Sequence, residues 1–185
     1  MRRGVAVVAL GLLLSCARTS GTVEIPAGEL PFPVARAPSP TGSPAPNTTL
    51  TVYFVRGGRL VPSPREVGSD LPTAEAAARA LLEGPSPRER AEGIVTELPS
   101  AAGLLGVGIV DGIAIIDLSG EFQEPAPPER ISLRVAQMTW TLTDVPGVRE
   151  VAFAIDGERV SVTADDGTTL DRPVRRSDYD SFAPA

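Results

Sequence analysis

Residues 104–118 read LLGVGIVDGIAIIDL, and this stretch carries the strongest hairpin signal in the chain. Two apolar runs flank Asp111 and Gly112, a pair that takes positive φ easily and favours a two-residue turn. The second run contains three isoleucines and is too apolar for a strand that is wet on one face. We therefore expect a central hairpin that is covered by other elements.

A long amphipathic helix is predicted after this hairpin, over residues 128–143. Apolar side chains recur every three or four residues along it, at Ile131, Val135, Met138, Leu142 and Val145. Leu133 and Trp140 widen the buried face, whereas we expect Arg130, Arg134 and Gln137 to face water. Pro146 and Gly147 end the helix, and residues 148–154 and 159–163 form a second hairpin around Asp156 and Gly157.

The region before the central hairpin contains a strand pair and a shorter helix. Residues 50–55 (LTVYFV) have strand composition, and Gly57 and Gly58 permit a tight turn into a short return strand that Pro62 and Pro64 end. Residues 65–67 are a candidate edge strand. A helix with an alanine-rich face starts at Thr73 and stops at Gly84, and residues 88–92 allow one more helical turn.

This order of elements, β(β)-α-β-β-α-β-β, predicts an α+β domain. Each of the two amphipathic helices needs one covered face, and a single mixed β-sheet with both helices on one side provides it. The predicted domain covers residues 50–172, and residues 173–185 are expected to be a C-terminal tail.

Composition excludes most enzyme mechanisms. The chain of 185 residues has no His, and all 17 of its basic residues are Arg. Sites that use a His base, a catalytic Lys or a His-ligated metal are therefore unavailable, which leaves chemistry run by carboxylates or by oxygen-bound cations. The net charge of −6 also disfavours nucleic acid as a partner.

The N-terminus has the three parts of a secretory leader. Arg2 and Arg3 precede the apolar run VAVVALGLLL at residues 5–14, which is too short to span a bilayer. The following Leu13-Leu14-Ser15-Cys16 resembles the bacterial lipobox, and we interpret residues 1–15 as a lipoprotein signal peptide. Acyl chains on Cys16 would then anchor the protein to the outer face of the cytoplasmic membrane.

Residues 16–49 are predicted to be a disordered tether that carries the lipid. Seven prolines are interleaved with Ser, Thr, Gly and Ala, and the segment has no sustained periodicity. As a flexible coil it would span about 30 Å, enough to clear the lipid headgroups.

Several side chains are candidates for chemistry, each with a structural alternative. Paired-acid hydrolysis of glycan would use carboxylates from Asp117, Glu121 and Glu124, which otherwise are solvated loop acids. A cation could bind near Asp156, Glu158, Asp165 and Asp166, although turn formation explains these acids better. The charged turn with Arg88, Glu89, Arg90 and Glu92 could bind an anionic polymer, and Trp140 could stack on a sugar instead of packing in the core.

Three segments together resemble the GerMN domain, named for a lipoprotein of sporulation and spore germination. They are residues 81–99 (LLEGPSPRERAEGIVTELP), 104–122 (LLGVGIVDGIAIIDLSGEF) and 137–160 (QMTWTLTDVPGVREVAFAIDGERV). The resemblance covers roughly residues 50–172, and Arg176-Ser177-Asp178-Tyr179 resembles the closing segment of lipoprotein members. It implies an exported or lipid-anchored envelope protein without catalytic residues, cofactor or metal to carry over.

The leading hypothesis is therefore a non-enzymatic envelope lipoprotein that docks a protein partner or a cell-wall component such as peptidoglycan. An exposed sheet edge is the expected docking surface, from the first strand pair or from the hairpin at residues 151–163. The alternatives are a carboxylate-dependent cell-wall hydrolase and an accessory sensor domain for a partner encoded by a neighbouring gene.

The lipobox generates a direct prediction for Cys16→Ser. Without the thiol no acyl chain can be attached, so the protein should move from the membrane fraction to the soluble extracytoplasmic fraction and should lose metabolic labelling by a fatty-acid analogue. Ser15→Ala keeps a small residue before the cysteine and serves as the control. Unchanged membrane partitioning of Cys16→Ser would contradict lipid anchoring.

Overall fold

The central hairpin forms at the predicted turn in the computed structural model, which describes residues 47–68, 70–71 and 73–184. β3 (Leu104–Val110) and β4 (Ile113–Leu118) are antiparallel and joined by Asp111 at φ 51° and Gly112 at φ 81°. The predicted leader, the predicted lipidation site Cys16 and the predicted tether up to residue 46 lie outside the described residues. None of the described helices is long and apolar enough to span a bilayer.

A mixed four-stranded sheet forms around this hairpin, in the order β3-β4-β5-β6. α3 (Pro128–Leu142) connects β4 to β5 (Glu150–Ile155), and these two strands are parallel. β6 (Glu158–Val160) returns antiparallel after a turn at Asp156 and Gly157. The predicted α+β class, the mixed sheet and the central place of β4 are confirmed.

The first two strands form a ladder of their own, whereas we predicted one sheet for all strands. β1 (Thr48–Arg56) pairs with β2 (Arg59–Val67) through the Gly57 and Gly58 turn and has no ladder with β3. β2 also continues through Pro62 and Pro64, which we expected to end it. Both prolines lie opposite non-hydrogen-bonded positions of β1, so their missing N–H groups face away from the ladder and cost it nothing.

Two helices pack against these strands from one side. α1 (Thr73–Leu82) contacts β1 and β3, and α3 contacts β1, β5 and α1. The close approach of α1 depends on its alanines, five of which are buried. A short α2 (Pro87–Ala91) follows, and Val95 beyond it pairs with Val55 of β1.

The central strand is covered on one face only, which corrects the prediction of a fully covered hairpin. Ala114, Ile116 and Leu118 point toward the helices and are fully buried. Ile115 points to the opposite face and is 44% exposed, because none of the described elements packs there. Apolar composition therefore marked β4 as central but did not determine how many layers the domain has.

Two polar residues of α3 are buried, although helical periodicity predicted that they face water. Gln137 is 0% exposed: its Nε2 donates to the carbonyl of Tyr53 (3.0 Å), and its Oε1 accepts from the amide of Glu97 (2.7 Å). Arg134 donates to the carbonyls of Glu97 and Phe122. Backbone groups of neighbouring segments, which periodicity cannot show, pair with both side chains.

The closing segment is part of the fold rather than the tail we predicted. After β7 (Val162–Thr163) and β8 (Thr169–Leu170), Val174 pairs with Val151, and the 3₁₀ segment Arg176–Phe182 covers α3. Val174, Tyr179 and Phe182 all belong to the core. Residues 173–184 therefore extend the domain beyond the boundary that the sequence suggested.

The buried amide of Gln137 generates a stability prediction. Gln137→Leu keeps the volume of the side chain but leaves the Tyr53 carbonyl and the Glu97 amide without partners, so the free energy of unfolding should fall by about 2–4 kcal/mol. The matched control is Arg130→Gln on the same helix, which removes only an exposed ion pair with Glu97 and should cost under about 1 kcal/mol. Urea unfolding followed by circular dichroism measures both variants, and equal losses would contradict this role of Gln137.

Candidate binding cleft

A cleft of about 650 Å³ lies where the first hairpin meets the four-stranded sheet. The start of β1 lines one side and β3 lines another, through Val107 and Ile109. The first turn of α1 and the C-terminal end of α3 complete the walls. Threonine hydroxyls from β1, α1 and α3 alternate there with aliphatic side chains, so the cleft can form hydrogen bonds and bury apolar groups.

The cleft contains acidic side chains whose negative charge is partly neutralised by neighbouring arginines. Two carboxylates line it, Glu75 from α1 and Asp144 from the end of α3, and none of the basic side chains in the described part of the chain does. Arg79 pairs with Glu75 (2.8 Å), and Arg176 pairs with Asp144 (2.9 Å). Tyr53 also donates to Asp144, and burial, followed by the Asp144 charge, raises the pKa of its phenol. An uncharged or basic ligand suits these walls better than an acidic one.

The outer face of the four-stranded sheet is a second exposed apolar surface. Val110 and Ile115 are 56% and 44% exposed there, beside the small side chains of Ala152 and Ala154. Gly108 is paired with Ile115 on this face, and a Cβ at Gly108 would have nothing within 4 Å. The surface is therefore shallow and open.

Two of the three acids considered for glycan hydrolysis form structural hydrogen bonds through their carboxylates, and the third, Glu124, contributes its backbone carbonyl. Asp117 accepts from the amide of Gly157 (3.0 Å), which fixes the turn after β5. A hydrogen bond from Ser119 lowers the pKa of Glu121, whereas a general acid needs a raised pKa. The backbone carbonyl of Glu124 accepts from Arg134 (3.0 Å). Of these acids, none lines the cleft.

The acids considered for a cation shape turns. Asp156 takes φ 50° in the β5–β6 turn, and Glu158 starts β6. Asp166 accepts from the amide of Thr168 (2.8 Å), and this bond lowers the pKa of its carboxyl. Asp165 accepts from the amide of Ser181 (2.8 Å), which holds the closing segment. Within the described ranges, no three His, Cys, Asp or Glu side chains are grouped to hold a metal.

The charged turn considered for polymer binding is stabilised internally. Glu89 forms a capping box with Ser86 and an ion pair with Arg65 of β2 (2.7 Å). Its bonds to Arg65 and Ser63 lower the pKa of Glu89 to about 2. Arg88 pairs with Glu92 on the exposed face, and Arg90 donates to the carbonyl of Pro85.

Trp140 packs between other side chains, as the core alternative predicted. Its ring meets Tyr53 edge to face at 5.5 Å, and the Arg176 guanidinium lies 4.6 Å from the ring centroid. Arg176 also donates to the carbonyl of Trp140 and thereby holds the closing segment against α3. The ring is partly buried and packs against the core.

Sequence reasoning placed candidate edges in the first strand pair and in the hairpin at residues 151–163, where β6 is a terminal strand of only three residues. It missed the edge of β3. It did not identify Val107 and Ile109 on β3, because the apolar composition of the hairpin indicated a covered strand. The only signal for an open edge is the glycine at every second position, Gly106 and Gly108, and that pattern does not distinguish an edge strand from a central one.

Comparison with known proteins connects this domain to sporulation proteins. Residues 51–161 match the family model Germane, described as sporulation and spore germination. The structure of the tandem GerMN domains of the sporulation protein GerM from Bacillus subtilis superimposes with a TM-score of 0.56 at 25% identity, covering 72% of this chain and 48% of that one. The first GerMN domain of the same protein gives a TM-score of 0.52 at 22% identity, covering 70% and 98%.

A curated relative is a lipoprotein. Lipoprotein LpqB of Cutibacterium acnes is 30% identical over an alignment of 142 residues that covers 74% of this chain. The chain spans 23% of the length of that relative, so the similarity concerns one part of a longer protein.

The ion pair of Glu89 generates a pH-dependent prediction. Because folding lowers its pKa from 4.5 to about 2, its stabilising contribution is complete above pH 4.5 and is lost as the pH falls toward 2. Glu89→Gln should therefore lower the free energy of unfolding by about 2 kcal/mol at pH 7, and by progressively less below pH 4.5. Glu92→Gln, on the exposed face of the same helix, should change it by under about 0.5 kcal/mol. A loss for Glu89→Gln that does not vary with pH would contradict the assignment.

Proposed function

Because this chain belongs to the Germane family of sporulation and spore germination domains, we propose that it is a cell-envelope lipoprotein with a non-catalytic binding domain. Acyl chains on Cys16 hold it to the outer face of the cytoplasmic membrane, and residues 17–46 separate the domain from the lipid surface. The domain binds a protein partner or a cell-wall component.

The observation that carries this proposal is the open cleft between β1 and β3. Its walls offer threonine hydroxyls and aliphatic side chains, a combination that holds a ligand by hydrogen bonds and burial. Its two carboxylates are paired with Arg79 and Arg176. A site that transfers protons instead needs acidic groups whose pKa values are pushed apart.

The described acids support a binding role over hydrolysis. Asp117, Asp165 and Asp166 accept backbone hydrogen bonds that fix turns or the closing segment. The lowered pKa of Glu121 keeps this carboxylate ionised, which opposes proton donation to a glycosidic oxygen. The family is also not one known for catalysis.

Lipid anchoring agrees with the class of the relative. LpqB is named a lipoprotein, and its similarity to this chain covers 142 residues. The net charge of −6 favours a partner other than nucleic acid or anionic lipid.

The test is crosslinking of the full chain in its own membrane, followed by detergent extraction and purification. We expect one reproducible adduct, a protein or a peptidoglycan fragment, that is reduced when Cys16→Ser releases the chain from the membrane. Glu92→Gln, which alters an exposed side chain outside the cleft, is the control and should leave the adduct unchanged. Absence of any reproducible adduct would contradict the binding role. Peptidoglycan cleavage that is lost in Glu121→Gln would replace binding with hydrolysis.

A further inference from the structure

The edge of β1 that faces away from β2 is occupied by the protein itself only in part. In the hairpin with β2, Arg56 and Arg59 flank the two-residue turn as a hydrogen-bonded pair, so the odd-numbered residues of β1 direct their N–H and C=O groups outward. Val55 exchanges both of its hydrogen bonds with Val95 (2.9 and 2.8 Å). Tyr53 donates its amide to Thr141 Oγ1 (3.0 Å) and accepts from Gln137.

The remaining outward positions of β1 are Thr49 and Thr51, and both line the cleft. Within residues 47–68, 70–71 and 73–184, no hydrogen bond to the outward backbone groups of these two residues is present. Along the outward edge of β1, the backbone of Val55 is therefore paired with Val95, and that of Tyr53 is paired with two side chains of α3. The next two outward positions, which line the cleft, have no partner among the described residues.

β3 has an open edge on another side of the same cleft. Val110 and Ile113 flank the Asp111 and Gly112 turn as a hydrogen-bonded pair, so Val107 and Ile109 direct their backbone groups away from β4. β3 is the terminal strand of its sheet. Its seven residues include no charge and no proline, the usual protections of an exposed edge.

The outer edge of β2, on the other side of the first hairpin, is protected against strand addition. Pro62 and Pro64 lie at the outward positions of β2 and remove two of the donors that an added strand would need. The chain therefore blocks pairing at the outer edge of β2 and leaves it possible at the cleft.

We propose that this cleft binds an extended segment of a partner protein by strand addition, through the backbones of Thr49 and Thr51 on β1 and of Val107 and Ile109 on β3. This inference rests on the proposed binding function and names its site and the chemistry of its partner. Unpaired N–H and C=O groups on two strands select a peptide backbone, because its donors and acceptors alternate with the same period.

The walls define which segments fit. Alternate side chains of the bound segment would meet the aliphatic groups of α1 and β3, so they should be small or β-branched. Glu75 and Asp144 favour an uncharged or basic segment over an acidic one. Proline is excluded at positions that donate to either edge. A folded copy of this domain does not fit, because a strand that enters the cleft cannot keep sheet neighbours of its own on both sides.

The direct test measures amide hydrogen exchange by NMR on the full chain in detergent micelles. The probe is a pool of blocked hexapeptides that alternate Thr with Val or Ile and carry one terminal Arg, each with a counterpart N-methylated at alternate residues. At millimolar concentration the unmethylated pool should slow exchange at Thr49, Thr51, Val107 and Ile109 by roughly tenfold or more. The N-methylated pool cannot complete the ladder and should have no effect.

Two proline variants test the edges separately. Thr51→Pro and Ile109→Pro each remove one outward N–H and leave the bonds of the native ladders intact. Thr51→Pro should abolish the peptide-induced protection of the β3 amides, and Ile109→Pro should abolish that of the β1 amides. Glu66→Pro removes an outward N–H on the protected edge of β2 and is the matched control. Circular dichroism establishes that each variant is folded, and Ile109→Arg, at a side chain 48% exposed, provides a second route to closing the cleft.

Several outcomes would overturn strand addition. No change at the four amides with any peptide contradicts it, as does equal binding of the N-methylated pool. Protection of Thr49 and Thr51 without peptide that disappears when residues 22–46 are deleted would make this chain's own linker the occupant. Protection that increases with protein concentration would indicate a second copy. If the cellular crosslink persists in folded Thr51→Pro and Ile109→Arg, the protein binds a partner but not at this cleft. If the wild type gives no crosslink, the proposed binding function itself is wrong.

Discussion

The fold depends on a row of buried polar side chains along α3 that hold backbone groups of other segments. Gln137 joins the Tyr53 carbonyl of β1 to the Glu97 amide, and Thr141 accepts from the Tyr53 amide. One turn earlier, Arg134 draws together the carbonyls of Glu97, Phe122 and Glu124. Burial lowers the pKa of this guanidinium, and the three carbonyls compensate for the desolvation. Each bond adds little net stability, but loss of one partner leaves a buried polar group unpaired, which is costly. Alternative packings of α3 that break these bonds are therefore disfavoured.

This row also determines where the domain is open. Among the residues that the structure describes, β1 has no backbone partner on the side away from β2 except Val95, and side chains of α3 pair with Tyr53 instead. Because α3 satisfies only that residue, the start of β1 and the edge of β3 are left beside a common cleft. The closing segment stabilises the same region, since Arg176 contacts Trp140, Thr143 and Asp144 at the end of α3. The surface that we assign to binding is thus a consequence of how α3 packs.

The contrast between the protected and the open edges explains how such a domain can bind and still remain a discrete fold. Edge strands promote aggregation unless they are short, charged, interrupted or covered. Pro62 and Pro64 remove two outward N–H donors from β2, and β6 is only three residues long. β3 has none of these features, but α1 packs against it and the cleft limits access to extended chains. In the proposed binding mode, the partner is held through backbone geometry, and the carboxylates of the domain form ion pairs or shape turns.

The sequence by itself determined the two hairpins, the helices between them and their order. Turn chemistry at Asp111 and Gly112, apolar periodicity in residues 128–143 and the motifs of the GerMN domain are all local patterns, and they led to the α+β class and to the family. Only the tertiary structure decided which polar residues of α3 are buried, that the sheet has one open face, that residues 173–184 belong to the core, and that β1 and β3 flank a cleft. These properties depend on which groups meet from separate segments of the chain, as between Gln137 and Tyr53, 84 positions apart. Local periodicity shows on which face of its own helix or strand a side chain lies. It does not show which distant segment of the chain packs against that side chain.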